Sequence, residues 1–253
     1  MTRKQALIFA ILSLVMAVPG VVLLKDALTG PQATTETTKS AVKQPPAFNK
    51  HLYSTSNPAS IWVVVNKQHP LSPKSYVPAS LVIPGIPLRS NITGDEEHVS
   101  SVMAPALESM VAAARKDGLT INLQSGYRSY NLQVSLYGSY VHRDGQAAAD
   151  TYSARPGFSE HQTGLAADLG GTTAPACNVE DCFGTTPEGR WLAKHAYQYG
   201  FIIRYTTAKQ SITGYENEPW HVRYVGTLLS AEMHKEHIAT LEEFFGVGGG
   251  VAY

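Results

Sequence analysis

Cysteine is scarce: 253 residues carry two, Cys177 and Cys182, in APACNVEDCFG. With four residues between them and no further cysteines, they make poor zinc-finger spacing. Charge of one sign is missing as well, since twenty Lys and Arg balance twenty Asp and Glu. No strong field therefore draws the chain toward nucleic acid or an acidic partner, and no nucleic-acid role is expected. No internal repeat is visible. Residues 26–58 (DALTGPQATTETTKSAVKQPPAFNKHLYSTSNP) hold little apolar periodicity, too little to fold alone, and read as a tether.

One long apolar run is present. Arg3 and Lys4 precede Ala6–Leu24, interrupted only by Ser13, Pro19 and Gly20. At ~1.5 Å per residue it reaches roughly 28 Å, close to the ~30 Å hydrocarbon core of a bilayer. It is longer than a usual secretory signal and lacks an Ala-x-Ala site, so residues 1–25 read as an uncleaved membrane anchor, with a cleaved signal as the alternative. Either way the remainder is exported, and in an oxidising compartment Cys177 and Cys182 are expected to close a short loop.

The folded domain is expected over 59–246, with VGGGVAY, 247–253, as a disordered tail. IWVVV from Ile61 reads as a strand. Glu96–Asp117 carries apolar residues at helical spacing and ends at Gly118. LTINLQS is a strand, Ser129 caps a helix through about Arg143, and a short helix covers roughly Gln146–Thr151. GLAADL is a strand. A helix opens at Pro187 and closes at Gly200. FIIRY and WHVRYVG are strands, and one C-terminal helix runs from about Ser230 to Phe245. Helices in blocks with short strands between them indicate an α+β fold around a small, largely antiparallel sheet flanked by helices.

Within GFSEHQTGLAADLGG, His161 and Asp168 stand among small and aliphatic residues. Fully extended, the seven steps between them span ~23 Å, so a shared metal requires the chain to reverse, and Gln162-Thr163-Gly164 offers the turn. Beyond it, Gly164, Ala166 and Asp168 share one strand face and Leu165, Ala167 and Leu169 the other. Two metal ligands, or a hydrogen-bonded loop histidine with a capping aspartate, both satisfy this pattern. A third ligand is best supplied by His221 in YENEPWHVRYVG, where Pro219 kinks the chain and holds Glu218 close. Two histidines, one carboxylate and an open fourth position form a catalytic zinc set, with a nearby carboxylate as base. HExxH is absent, and His234 and His237 read as part of a solvated helix face. In SGYRSY, Arg128 projects from a strand-to-helix junction where it can clamp a carboxylate or an oxyanion, and Gln133 is placed to reach the same cleft.

SGYRSY with Gln133, SEHQTGLAAD, GFIIRY, ITGY and EPWHVRYVG, in this order over about residues 60–230, resemble the VanY-type D,D-carboxypeptidases. These belong to a wider group of zinc peptidases that includes D-alanyl-D-alanine dipeptidases and L,D-carboxypeptidases. The resemblance implies that His161, Asp168 and His221 hold one Zn²⁺ on the sheet, that Glu218 is the base, and that Arg128 stabilises the carbonyl or intermediate. Ser159 would help hold the substrate. The implied activity removes the terminal D-alanine of peptidoglycan stem peptides. D,D specificity is the expectation; the alternatives are L,D specificity on tetrapeptides or a non-catalytic zinc-bearing peptidoglycan-binding module. A serine D,D-peptidase, using Ser40-x-x-Lys43 and Ser129-x-Asn131, is disfavoured because its SxxK lies in the tether and no KTG follows. The catalytic domain is expected to be monomeric and outside the cytoplasm, in the bacterial cell envelope.

Overall fold

The computed structural model of the protein describes residues 47–253. The anchor Ala6–Leu24, and the tether as far as residue 46, lie outside the described residues. No described helix is long and apolar enough to cross a membrane.

In chain order the elements are β1 (Leu81–Val82), β2 (Val99–Ser100), α1 (Ala104–Lys116), β3 (Ile121–Ser125), α2 (Tyr130–Asp144), α3 (Gln146–Tyr152), β4 (Ala166–Gly171), α4 (Pro187–His195), β5 (Phe201–Tyr205), α5 (Gln210–Thr213), β6 (Glu218–Tyr224), α6 (Thr227–Glu236) and α7 (Leu241–Phe245). β1 and β2 form a short hairpin-like pair. The main sheet has the order β3-β4-β6-β5, antiparallel throughout. The fold is α+β, as the sequence implies.

Alternation along β4 divides its two faces. Leu165, Ala167 and Leu169 enter the main core with Ile121, Leu123, Val222 and Phe201, under the apolar stripe Leu107, Met110, Val111 and Ala114 of α1. Asp168 points away from that core, and its register partners are Ser125 on β3 and His221 on β6. The sheet itself therefore sets His221 beside Asp168.

β6 is irregular where Pro219 sits. Its pairing with β5 runs Ile203↔Val222 and then Tyr205↔Glu218, so two steps on β5 oppose four on β6. A proline cannot donate to the ladder, and this bulge accommodates it. It also has a functional effect. Residues three apart in a regular strand face opposite sides, yet here Glu218 and His221 turn toward each other, Oε2 to Nδ1 3.4 Å.

Several expectations need correction. Ile61–Val65 forms no ladder strand: Ile61 and Trp62 lie in a turn, Val63–Val65 follow as buried irregular chain, and the Ile61 and Val63 carbonyls accept hydrogen bonds from Arg223 Nη2. Glu96–Asp117 is not one helix, because Val99–Ser100 pairs with β1 and α1 starts only at Ala104, with proline in its first turn. The C-terminal helix breaks at His237, which takes a left-handed conformation (φ 57°). The packed domain also reaches further in both directions than 59–246. Phe48 stacks on Trp62 (5.6 Å) and meets Phe244 edge-on (5.4 Å), adding to a second core of Val64, Ile202, Val225, Leu229 and Met233. The tail 247–253 is not disordered: it is bound along the domain, with Tyr253 hydrogen-bonded to the backbone N–H of Arg155 (2.8 Å). Cys177 and Cys182 are bridged.

Candidate active site

Glu160–Thr163 forms one 3₁₀ turn, and Gly164 follows at φ 67°, the left-handed conformation that reverses the chain into β4. The reversal brings His161 Nε2 to 3.4 Å from Asp168 Oδ2, while across the ladder His221 Nδ1 lies 3.2 Å from Asp168 Oδ1. His161 Nδ1 donates to the Gly126 carbonyl (2.7 Å), which leaves Nε2 to face Asp168 with its lone pair. One ligand atom from each of the three residues lies within 4.8 Å of the others. All three residues are buried, yet His161 Nε2, Asp168 Oδ1 and His221 Nδ1 have no hydrogen-bond partner. Buried polar atoms are rarely left so. Donors ~2.0–2.2 Å from a tetrahedral zinc stand roughly 3.3 Å apart, and the two measured contacts bracket that spacing. The donor set fits zinc.

Glu218 borders this group. Burial pushes its carboxyl up to about 7, against the opposing pull of His221. For His221, burial would lower the value, but Asp168 and Glu160 overcome it and push it up to about 9. Burial and the neighbouring Arg128 lower His161. Burial disfavours the charged Asp168, yet His161 and His221 hold it well below the usual carboxylate range.

Arg128 lines the same cleft. Its Nη2 is 3.6 Å from Asp168 Oδ2, and its Nη1 donates to Gln133 Oε1 (3.3 Å). Ser159 opens onto the cleft just ahead of the 3₁₀ turn, and its hydroxyl does not cap that turn. Gln133 departs from its expected place at the substrate. It is fully buried behind Arg128, donating through Nε2 to the Ala154 carbonyl (2.7 Å), so it steadies the arginine instead of facing the cleft. Ser129 caps α2, accepting from the Leu132 N–H, which assigns it a structural task. His234 lies outside the group, stacked on Tyr197, and so does His237, the left-handed cap of α6.

Sequence reasoning missed the charge cluster beneath His161, Asp168 and His221. Glu160 Oε1 accepts from Arg204 Nε and Arg223 Nη1, each 2.8 Å, and Arg204 makes a two-pronged pair with Glu242 (2.9 and 2.7 Å). Both arginines are 0% exposed. Burial opposes the charge on Glu160, but the two guanidiniums hold its carboxyl far below the usual range. Its other oxygen, Oε2, faces His221 Nε2 at 3.5 Å. The available signal was an arginine at an inward position in each of two apolar strands, FIIRY and HVRY.

Outward from the ligands the cleft widens to about 420 Å³. Its walls include Tyr140, Arg143, Tyr152, Glu180, Asn217 and Trp220.

A histidine on a turn, an aspartate and a histidine on paired strands, and a half-buried acid and an arginine beside them at the foot of an open cleft make up the site of a hydrolase. Residues 96–227 match the family model described as VanY, D-alanyl-D-alanine carboxypeptidase, and the chain belongs to that family. YodJ of Bacillus subtilis (strain 168), whose name assigns it provisionally to the carboxypeptidases, is 41% identical over 194 residues, 77% of this chain and 70% of the relative. The solved structure of LdcB, an LD-carboxypeptidase, is 40% identical with a TM-score of 0.70, covering 76% of this chain and 89% of that one. A mutant of the vancomycin-resistance D,D-pentapeptidase VanY, solved with Zn(II), is 33% identical with a TM-score of 0.58, covering 72% and 97%. The protein is a carboxypeptidase of peptidoglycan peptides.

Proposed function

We propose that the protein is a zinc-dependent carboxypeptidase that releases the terminal D-alanine of peptidoglycan stem peptides. The observation that carries this reading is the convergence of three buried, unpartnered ligand atoms at the foot of the cleft, beside Glu218. His161, Asp168 and His221 would hold one zinc ion, which supplies Lewis acidity toward water and the scissile carbonyl. Glu218 takes the proton of the attacking water and returns it to the leaving amine. Arg128, steadied by Gln133, meets the negative charge that develops on the carbonyl oxygen. The Ser159 hydroxyl is free to donate to the substrate.

On the residue ahead of the scissile bond, the wide polar cleft favours a tetrapeptide. There that residue is a long diamino acid of L configuration, for which Arg143, Glu180 and Asn217 offer charged and polar partners. The likeness to an LD-carboxypeptidase at 40% identity supports the same choice. The D,D specificity expected from the sequence is the second reading, supported by the family description and by the likeness to a D,D-pentapeptidase. Export, with Ala6–Leu24 as anchor and a monomeric domain facing the cell wall, completes the proposal, and the disulfide supports an oxidising compartment.

Glu218→Gln keeps the shape of the site and removes the base. The variant should bind one zinc per chain, as the wild type does, with turnover of muropeptides reduced at least ~100-fold. Zinc binding with turnover near the wild-type rate would sink the assignment of Glu218.

A further inference from the structure

The segment Gly248–Tyr253 lies outside the matched family region, yet it touches the cleft residue Tyr215 and the chain between the cleft residues Ala154 and Ser159. Gly249 is there for close approach. A Cβ on Gly249 would stand 2.4 Å from the Ile212 carbonyl oxygen, and one on Gly214 would stand 2.2 Å from the Gly250 oxygen. Backbone therefore packs on backbone, and Asn66 Nδ2 donates to the Gly248 carbonyl (3.0 Å) while Lys67 Nζ holds the Gly214 carbonyl (2.5 Å).

At the end of this segment the Tyr253 ring is boxed in. The Arg155 guanidinium lies 4.1 Å over it, and Phe158 meets it edge-on at 5.0 Å. The hydroxyl makes two contacts. It accepts from the Arg155 backbone N–H (2.8 Å) and shares a hydrogen bond with the Tyr215 hydroxyl (3.2 Å). Arg155 and Phe158 lead directly into Ser159 and His161. Tyr215 lines the cleft and packs on Tyr205 (4.9 Å), which packs in turn on His221 (4.8 Å).

We propose that Tyr253 is a positioning residue: its hydroxyl ties the backbone between the cleft residues Ala154 and Ser159 to Tyr215, beside the Glu216 N–H to Thr151 carbonyl bond (3.0 Å) that joins the same segments, and so helps set the width of the substrate cleft. The ligands Asp168 and His221 are held by the sheet ladder, which does not depend on this clasp. Loosening the walls should therefore weaken the hold on the stem peptide more than it slows the reacting centre. That pattern appears as a raised KM with kcat kept. The inference rests on the carboxypeptidase reading of the cleft but not on its stereospecificity.

The test compares full-length wild type, Tyr253→Phe, Tyr253→Ala and, as a control on the same segment, Val251→Ala, whose side chain is exposed. Steady-state kinetics on the preferred stem peptide and zinc content are measured well below each unfolding midpoint. The phenylalanine variant keeps the boxed ring and so keeps the fold. For it we expect KM raised several-fold, rising to about tenfold for alanine, short of the ~100-fold that a 1 Å misplacement of reacting groups can cost. Zinc content and kcat should stay within about twofold, and Val251→Ala should match wild type. If Tyr253→Phe and Tyr253→Ala lower only the unfolding midpoint and leave KM and kcat at wild-type values, the clasp is overturned. A wild type without turnover would instead overturn the carboxypeptidase reading.

Discussion

Glu160→Gln is the perturbation that tests the buried charge cluster most sharply. The replacement has nearly the same shape, but the two arginines at 2.8 Å lose their shared anion. Arg204 keeps Glu242, whereas Arg223 is left with the carbonyls of Ile61, Val63 and Tyr224. Removing one partner from a buried ion pair costs about 3–5 kcal/mol. A domain of this kind holds roughly 5–15 kcal/mol, so the metal-free variant should lose a large share of its stability. A second effect is separate. Glu160 Oε2 faces the far nitrogen of His221, a proposed zinc ligand, and losing such an outer carboxylate is expected to weaken metal binding about 10–100-fold, roughly 1.4–2.7 kcal/mol. Urea unfolding in chelator measures the first effect, and competition for zinc with a chromophoric chelator measures the second. An unfolding free energy within about 0.5 kcal/mol of wild type, the range of ordinary surface changes, together with unchanged zinc affinity, would refute the reasoning.

Two other predictions follow from the site's electrostatics. Arg128→Ala should lower kcat by about 10²–10³, the usual loss for a group that meets developing charge, with lysine recovering part of it; a loss confined to KM would reassign Arg128 to ground-state binding. The pH dependence of metal-free stability has a definite sign. Glu160 and Glu242 sit below their ordinary values, so their contribution is present above the unfolded value of about 4.3 and is lost as pH falls below it. Glu218 at about 7 and His221 at about 9 are raised, so the stability linked to their protons is lost as pH rises through those values. His161, lowered by burial and Arg128, adds stability as pH rises to its unfolded value of about 6.5, so metal-free stability should level off between about pH 5 and 6.5 and fall above that. Denaturant titrations showing stability still climbing from pH 5 to 8 would contradict this.

Much of the fold could be read locally, and where it could not, the reason is non-local. Ser129 and Pro187 mark helix starts because capping and proline geometry act within a few residues. The turn before β4 was legible for the same reason. Ile61–Val65 misled because a β-branched run says nothing about partners, and its carbonyls are taken by Arg223, far along the chain. The glycines of the tail looked like slack, but Gly249 is needed for close backbone approach to Ile212, which only the packed structure displays. At the site, residue types and order pointed to His161, Asp168 and His221. Their convergence depends on the β4–β6 register, and the turning of Glu218 toward His221 depends on the bulge at Pro219, neither of which is visible in the sequence. Gln133 was misjudged because spacing along a helix does not say on which side of Arg128 the side chain lies.

The central claim is best tested by mass spectrometry of defined tetrapeptide and pentapeptide muropeptides incubated with the protein, with and without a chelator. The account predicts loss of one alanine from the tetrapeptide, abolished by the chelator and restored by zinc. Cleavage of the pentapeptide alone would keep the site and move the enzyme to D,D specificity. Release of alanine that survives the chelator, or no release from either stem with zinc supplied, would contradict the account.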